Sequence, residues 1–370
     1  MKFLTKNALG LYIHIPFCER KCNYCDFYSA FYSKDTLSVY LSALKGEIKK
    51  WGGEINRPID TIYIGGGTPS LLGNEIISLT DCIKENFCVC KDAEFTVEIN
   101  PSSSDGFLKY AKSAGVNRVS IGVQSGCDAT LKTLGRTHTA DIAVQTVANT
   151  RKLGFDNISV DLMIALPHSN TASLKQDIDF ILSLKPEHIS AYILKIEENT
   201  AFSKTYAALD LPNEDDAAEQ YLYMCEQLQK NGYNHYEISN FSIEGKQSRH
   251  NMKYWTEQDY LGIGPAAHSC LDGKRFYYPK DLWAFVKNPQ TVYDGEGGGK
   301  AEKLMLGLRL SQGVDLSQIY DTIPKSIKEK ISLLEKADYI KADLPRISLT
   351  DSGMLISNSI ITELLENENI

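Results

Sequence analysis

Residues 9–25 read LGLYIHIPFCERKCNYC, an apolar, β-branched run that stops at Pro16 and opens straight into Cys18, Cys22 and Cys25. Five comparable runs follow: TIYIG (61–65), EFTVEI (94–99), RVSIGV (118–123), NISVDLMI (157–164) and HISAYIL (188–194). They are near-continuous rather than alternating, as expected of parallel strands covered on both faces. Helical patterns lie between them at 38–51, 74–87, 105–114, 139–153 and 173–184, several opening at Ser, Asp or Asn or closing at Gly. Repeated strand–helix units predict an α/β fold with a parallel sheet. Cys18, Gly65, Glu98, Gln124 and Asp161 all fall at or just past the C-terminal end of a strand. Convergence of so many strands on one end favours a curved barrel over an open sheet, whose ligands gather at a switch point. The expected architecture is an incomplete parallel (β/α)6 barrel.

Past residue 200 the alternation weakens. Asn213–Asn231 reads as an amphipathic helix, opened by Glu214-Asp215-Asp216 against the positive end of its dipole and closed by Gly232. Residues 233–278 read as an irregular aromatic-rich stretch, and NPQTVYDGEGGG (288–299) has linker composition. From Lys300 three helical patterns precede ISLTDSGM and a last helix, the outline of a small, mainly helical, winged-helix-like domain. The expected organisation is a core domain over 1–232, an aromatic-rich extension over 233–290 and a C-terminal domain over 291–370.

The 370-residue chain is 43% hydrophobic and 23% charged, an ordinary globular composition able to bury a large core. Its 39 Lys and Arg against 47 Asp and Glu give a net charge of −8, which argues against a nucleic-acid partner. No apolar run approaches the roughly 20 residues of a membrane span. The N-terminal residues show no secretory pattern. Nine cysteines in such a chain imply a reducing, cytoplasmic setting, where thiols serve metals, catalysis or packing.

Cys18-x3-Cys22-x2-Cys25 is the strongest chemical signal. Three thiolates this close can wrap one ion or cluster at little loop-closure cost. Structural zinc prefers four protein ligands, and His14, inside the preceding strand, is awkwardly placed to complete them. A [4Fe–4S] cube on three cysteines leaves one iron open to a ligand. The spacing therefore favours iron–sulfur, with zinc and incidental thiols as the other readings. Gly65-Gly66-Gly67-Thr68-Pro69 allows close backbone approach to a ligand or simply makes a tight turn; it is not GxGxxG and no P-loop lysine follows. Glu98, Gln124, Arg136 and Asp161 are each, alone, a cap or a solvated group. As a set they suit a zwitterionic nucleoside, with carboxylates for ammonium or ribose hydroxyls and Arg136 for a carboxylate. His250-Asn251-x-x-Tyr254-Trp255 could supply an axial nitrogen beside an aromatic wall, or could be core packing. His268 is a second such histidine. Cys82, Cys88, Cys90, Cys127, Cys225 and Cys270 have no metal spacing and read as buried small hydrophobes.

YIHIPFCERKCNYCDF, with IGGGTPS, VEINP, GVQS, LGRTH and DLMIALP after it, resembles the cluster loop and cofactor shell of radical S-adenosylmethionine (SAM) enzymes. More narrowly the chain resembles the oxygen-independent coproporphyrinogen III oxidase family and its heme-chaperone branch, closely over residues 10–200 and onward through RHNMKYW. The resemblance implies a [4Fe–4S] cluster on Cys18, Cys22 and Cys25, and SAM held by Gly66, Gly67, Thr68, Glu98, Gln124, Arg136, Asp161, Tyr12 and Tyr24; Lys195 corresponds only loosely. The oxidases carry a further cysteine where Phe27 stands here, and a longer N-terminal extension. These departures match the chaperone branch. That branch implies heme binding, with His250 the candidate ligand, and delivery to an apo-hemoprotein of the respiratory chain. It also implies an electron donor for the cluster, cofactor-dependent homodimers, and a cytoplasmic protein touching the membrane only peripherally during transfer. On this reading the radical chemistry is vestigial. The alternative is an enzyme of porphyrin biosynthesis, the coproporphyrinogen III oxidase itself.

Overall fold

The computed structural model describes residues 8–101 and 105–366. Six strands, β1 (Leu9–Ile15), β2 (Ile59–Gly66), β3 (Val89–Ile99), β4 (Arg118–Gln124), β5 (Ile158–Ile164) and β6 (His188–Ile193), pair in that order and all in parallel. Helices α1 (Lys34–Glu54), α2 (Glu75–Asn86), α3 (Asp105–Ala114), α4 (Ala140–Lys152) and α5 (Thr171–Ser183) alternate with them. The reason lies in the side chains. Leu11, Ile13, Ile62, Ile64, Val97, Val119 and Val160 are buried within one continuous core, as both-face coverage of a parallel sheet requires. Local signals fix the helix ends: Ser33 and Thr139 accept N–H bonds from Thr36 and Ile142, and Asn170 and Ser173 form a reciprocal capping box. The parallel α/β barrel and its helical coat agree with the sequence expectation.

The stretch 233–278, irregular by sequence, is instead regular. Strands β7 (Asn234–Glu237) and β8 (Asn240–Ser242) form a hairpin that adds antiparallel to β6. Helix α6 (Glu214–Lys230) leads into it, with Asn213 capping its acidic first turn. After the short helix α7 (Arg249–Trp255), β9 (Tyr260–Ile263) lies parallel to β1 on the opposite edge. Strands β10 (His268–Leu271), β11 (Lys274–Tyr277) and β12 (Val292–Glu296) extend it antiparallel, making a twelve-stranded sheet. The 288–299 linker stretch thus contributes a strand. These strands run only three to five residues and carry polar groups such as Asn234, His268 and Arg275, so no period marks them. Non-local pairing decides them instead.

A second core begins at Leu304 and includes Leu308, Ile327, Ile331, Ile347 and Ile360. Helices α8 (Lys300–Gly307), α9 (Lys325–Lys336) and α10 (Ser357–Leu365) pack around a three-stranded sheet of Val314–Asp315, Arg346–Leu349 and Ile340–Asp343. It docks against β7: Ile238 N–H donates to the Arg309 carbonyl at 2.9 Å, and Ser311 N–H to that of Tyr236 at 3.1 Å. Among the described residues no helix is long and apolar enough to cross a membrane. The packing expected of the remaining cysteines holds for Cys82 and Cys225 only; Cys88 and Cys127 are exposed, and Cys90 and Cys270 lie between.

Candidate functional site

The C-terminal ends of the barrel strands enclose a cavity of about 400 Å³, within the ordinary range for a ligand pocket. Cys18, Cys22 and Cys25 line one wall. Their loop is fastened from outside the barrel: Asn23 N–H and Nδ2 donate to the Leu134 and Thr133 carbonyls at 3.0 and 2.8 Å, and Phe202 N–H donates to the Asn23 carbonyl. Gly135, at φ +77°, presses against Asn23 where a Cβ would sit 3.1 Å from its side chain. Burial pushes the Cys18 thiol up and the Cys25 thiol up to about 11, a preference for the protonated form that metal binding to the thiolates offsets.

The glycine turn lies directly on this loop. Gly67 N–H donates to the Ile15 carbonyl and Thr68 N–H to that of Phe17. A Cβ on Gly67 would sit 2.5 Å from the Phe17 carbonyl oxygen. Gly66, at φ +111°, leaves room for the His14 ring beneath it. Both His14 nitrogens are engaged, with the Tyr12 hydroxyl at 2.9 Å and the Tyr28 carbonyl at 3.2 Å. His14 therefore offers no fourth metal ligand, which weakens the zinc reading.

One hydrogen-bond chain runs from cysteine to cysteine. Thr68 Oγ1 donates to Cys18 Sγ at 3.5 Å, Asn100 Nδ2 donates to Thr68 Oγ1 at 3.1 Å, and Arg136 Nη2 donates to Asn100 Oδ1 at 2.6 Å. Arg136 Nη1 then reaches Cys22 Sγ at 3.4 Å, while Nη2 also holds the Gly122 carbonyl. The Arg136 Nε, buried in the same wall, has no hydrogen-bond partner. Across the cavity, Glu98 accepts from the Tyr63 hydroxyl at 2.7 Å and from Gly66 N–H at 3.0 Å. Burial pushes its carboxyl up. Burial, then the charge of Glu98, lifts Asp161 to about 7. Gln124 takes a left-handed φ of +73° at the end of β4; Asp177 braces the turn beyond it by accepting from Ser125 Oγ and Gly126 N–H.

Cys18, Cys22, Cys25, Tyr24, Gly66, Gly67, Thr68, Glu98, Gln124, Arg136 and Asp161 thus meet in one cavity, and Lys195 joins them at its margin. Two expected residues do not. Tyr12 lies off the cavity, its hydroxyl turned to His14. His250 is 1% exposed with both ring nitrogens bound, to Thr61 Oγ1 and the Tyr254 hydroxyl, each at 2.8 Å. Burial lowers it to about 3. It is a core histidine, with no nitrogen free for iron. Its neighbour Asn251 does reach the cavity, as do Tyr63, Asn100, Arg118 and Ser120. Sequence reasoning missed these five. Asn100, two residues past Glu98 and before Pro101 at a strand end, and Asn251, inside the His250-Asn251-x-x-Tyr254-Trp255 motif, carried a signal.

Residues 12–181 match the radical SAM superfamily, and residues 301–356 the HemN C-terminal domain. The heme chaperone HemW of Lactococcus lactis is 36% identical over 96% of both chains. That of Bacillus subtilis is 34% identical over 96% of this chain and 98% of its own. The solved structure of coproporphyrinogen III oxidase (HemN) from Escherichia coli, a radical SAM enzyme, superimposes with a TM-score of 0.83 over 98% of this chain and 91% of its own. At 20% identity that match speaks for the fold alone.

Proposed function

The chain belongs to the radical SAM superfamily, among the HemW heme chaperones, and from that premise we propose that it binds a [4Fe–4S] cluster, SAM and heme, and hands the heme to an apo-hemoprotein. What carries the reading is the reach of the likeness, 36% identity over 96% of the chain to a protein named a heme chaperone. Phe27, exposed at the cavity rim in the place of the oxidases' further cysteine, supports the chaperone over the oxidase.

The donors on the cavity wall fit the cofactors. Three thiols on one loop suit an iron–sulfur cube with one iron left to another ligand. The glycine turn offers backbone at close range, and Glu98 a carboxylate for an ammonium group. Arg136 holds a guanidinium between Cys22 and the cavity, placed for a carboxylate. Gln124, Asp161 and Tyr24 remain for the nucleoside. When bound, cluster and SAM supply one-electron chemistry. The protein's own part is to orient the zwitterion, through the chain Arg136–Asn100–Thr68, and to shield it beneath the loop.

Anaerobic reconstitution followed by heme titration tests the proposal. One heme per chain, transferable to a b-type apo-acceptor, is expected without conversion of coproporphyrinogen III. Turnover to protoporphyrinogen IX with SAM and reductant would overturn it in favour of the oxidase.

A further inference from the structure

Three side chains that no sequence motif links meet where the two cores join. Cys225 lies on α6, His235 on β7 and Asp351 in the C-terminal domain, at the start of the helix Asp351–Leu355. One donor atom from each lies within 4.8 Å of the other two. His235 Nδ1 is 2.8 Å from Asp351 Oδ1. Gln229 Nε2 donates to the other carboxylate oxygen, and Phe241 stacks on the His235 ring at 4.2 Å. His235 and Asp351 are therefore held in place from behind, as ligands of a metal usually are.

A second observation points the same way. The His235 side chain is 4% exposed, and its Nε2 is buried without a hydrogen-bond partner. An orphaned ring nitrogen at such depth is costly, and with Nδ1 on Asp351 it is Nε2 that is left to take a ligand. Cys225 is wholly buried, whereas Asp351 keeps 36% of its side chain exposed and so gives the cluster an opening to solvent.

We infer that Cys225, His235 and Asp351 form a second metal site, suited to zinc, that clamps the C-terminal domain to the barrel. Thiolate, imidazole and carboxylate are zinc's ligand types, and their two negative charges balance a divalent ion. Donors around tetrahedral zinc sit roughly 3.3–3.8 Å apart, given bonds of about 2.0–2.3 Å, so binding requires the 2.8 Å His235–Asp351 hydrogen bond to open and donors up to 4.8 Å apart to close. Water from the Asp351 side takes the fourth position. The site is separate from the cavity cysteines and independent of whether the protein carries heme.

Cobalt(II) titration of the full-length chain, with Cys18, Cys22 and Cys25 all replaced by serine, isolates this site. The result expected is one tightly bound cobalt with a sulfur-to-metal charge-transfer band and tetrahedral d–d bands, displaced by one equivalent of zinc. Cys225→Ala should abolish the charge-transfer band. Asp351→Asn, at a half-exposed position that leaves the fold intact by circular dichroism, should weaken binding at least tenfold. A folded triple-serine protein that takes up no cobalt overturns the inference. So does a charge-transfer band of equal strength after Cys225→Ala, or an unchanged affinity in Asp351→Asn.

Discussion

Asn100 is the joint between the two ends of the cluster loop, tying Arg136 on one side to Thr68 and Cys18 on the other. Hydrogen bonds to charged groups contribute about 1.5–3 kcal/mol. Asn100→Ala should therefore weaken SAM binding to the reconstituted protein by roughly ten- to a hundredfold. Calorimetry reads this directly, and an unchanged affinity would remove Asn100 from the mechanism. His250→Ala strips partners from Thr61 and the Tyr254 hydroxyl. It should cost about 2–3 kcal/mol of stability in urea while leaving the heme spectrum as it is. Loss of the heme band in a folded variant would restore His250 as a ligand. Asp161 titrates near 7 in the fold against an ordinary value of 3.8. A carboxyl raised on folding costs no stability below about pH 4, and its penalty grows as the pH rises to about 7. Asp161→Asn should thus gain roughly 2–4 kcal/mol over the parent protein at pH 8 and nothing at pH 3.5. Equal urea midpoints at pH 8 would contradict the buried carboxylate pair.

Among the elements, the glycine turn after β2 matters most, because it rests on the loop that carries the cysteines. Gly67→Ala drives a methyl group into the Phe17 carbonyl, and backbone cannot yield as a side-chain tip can. The expected result is intact secondary structure by circular dichroism but iron and sulfide content at least halved after reconstitution. Full cluster loading would show the turn to be incidental. The barrel strands were legible because burial on both faces writes itself as unbroken runs such as RVSIGV and NISVDLMI. So were the cysteine spacing and most of the polar set at the strand ends. The hairpins around β7 to β12 were not, since strands of so few residues are chosen by partners far along the chain. Arg118 escaped notice for a related reason. As the first residue of an apolar run it reads as a strand edge, yet the fold buries its guanidinium beside Glu98 and Asp161. Likewise the bonds that occupy His250 come from Thr61, 189 residues away, and from Tyr254.

Over the whole molecule, chemistry and attachment occupy different places. The barrel gathers its polar residues at one end, around the cysteines, while both flanks of the sheet are extended by short strands, antiparallel except for β9 beside β1. The C-terminal core covers the flank at β7 through backbone bonds at Ile238 and Ser311 and shields an edge that would otherwise invite pairing with other chains. On the proposed function, three cysteines hold a cluster with one iron turned to SAM. Electron paramagnetic resonance of the anaerobically reconstituted, reduced protein, with and without SAM, tests it most directly. The expected result is a [4Fe–4S] signal whose g-values shift on adding SAM, and that is lost in Cys22→Ser. A protein that assembles no such cluster, or one whose spectrum is identical with SAM present, would contradict it.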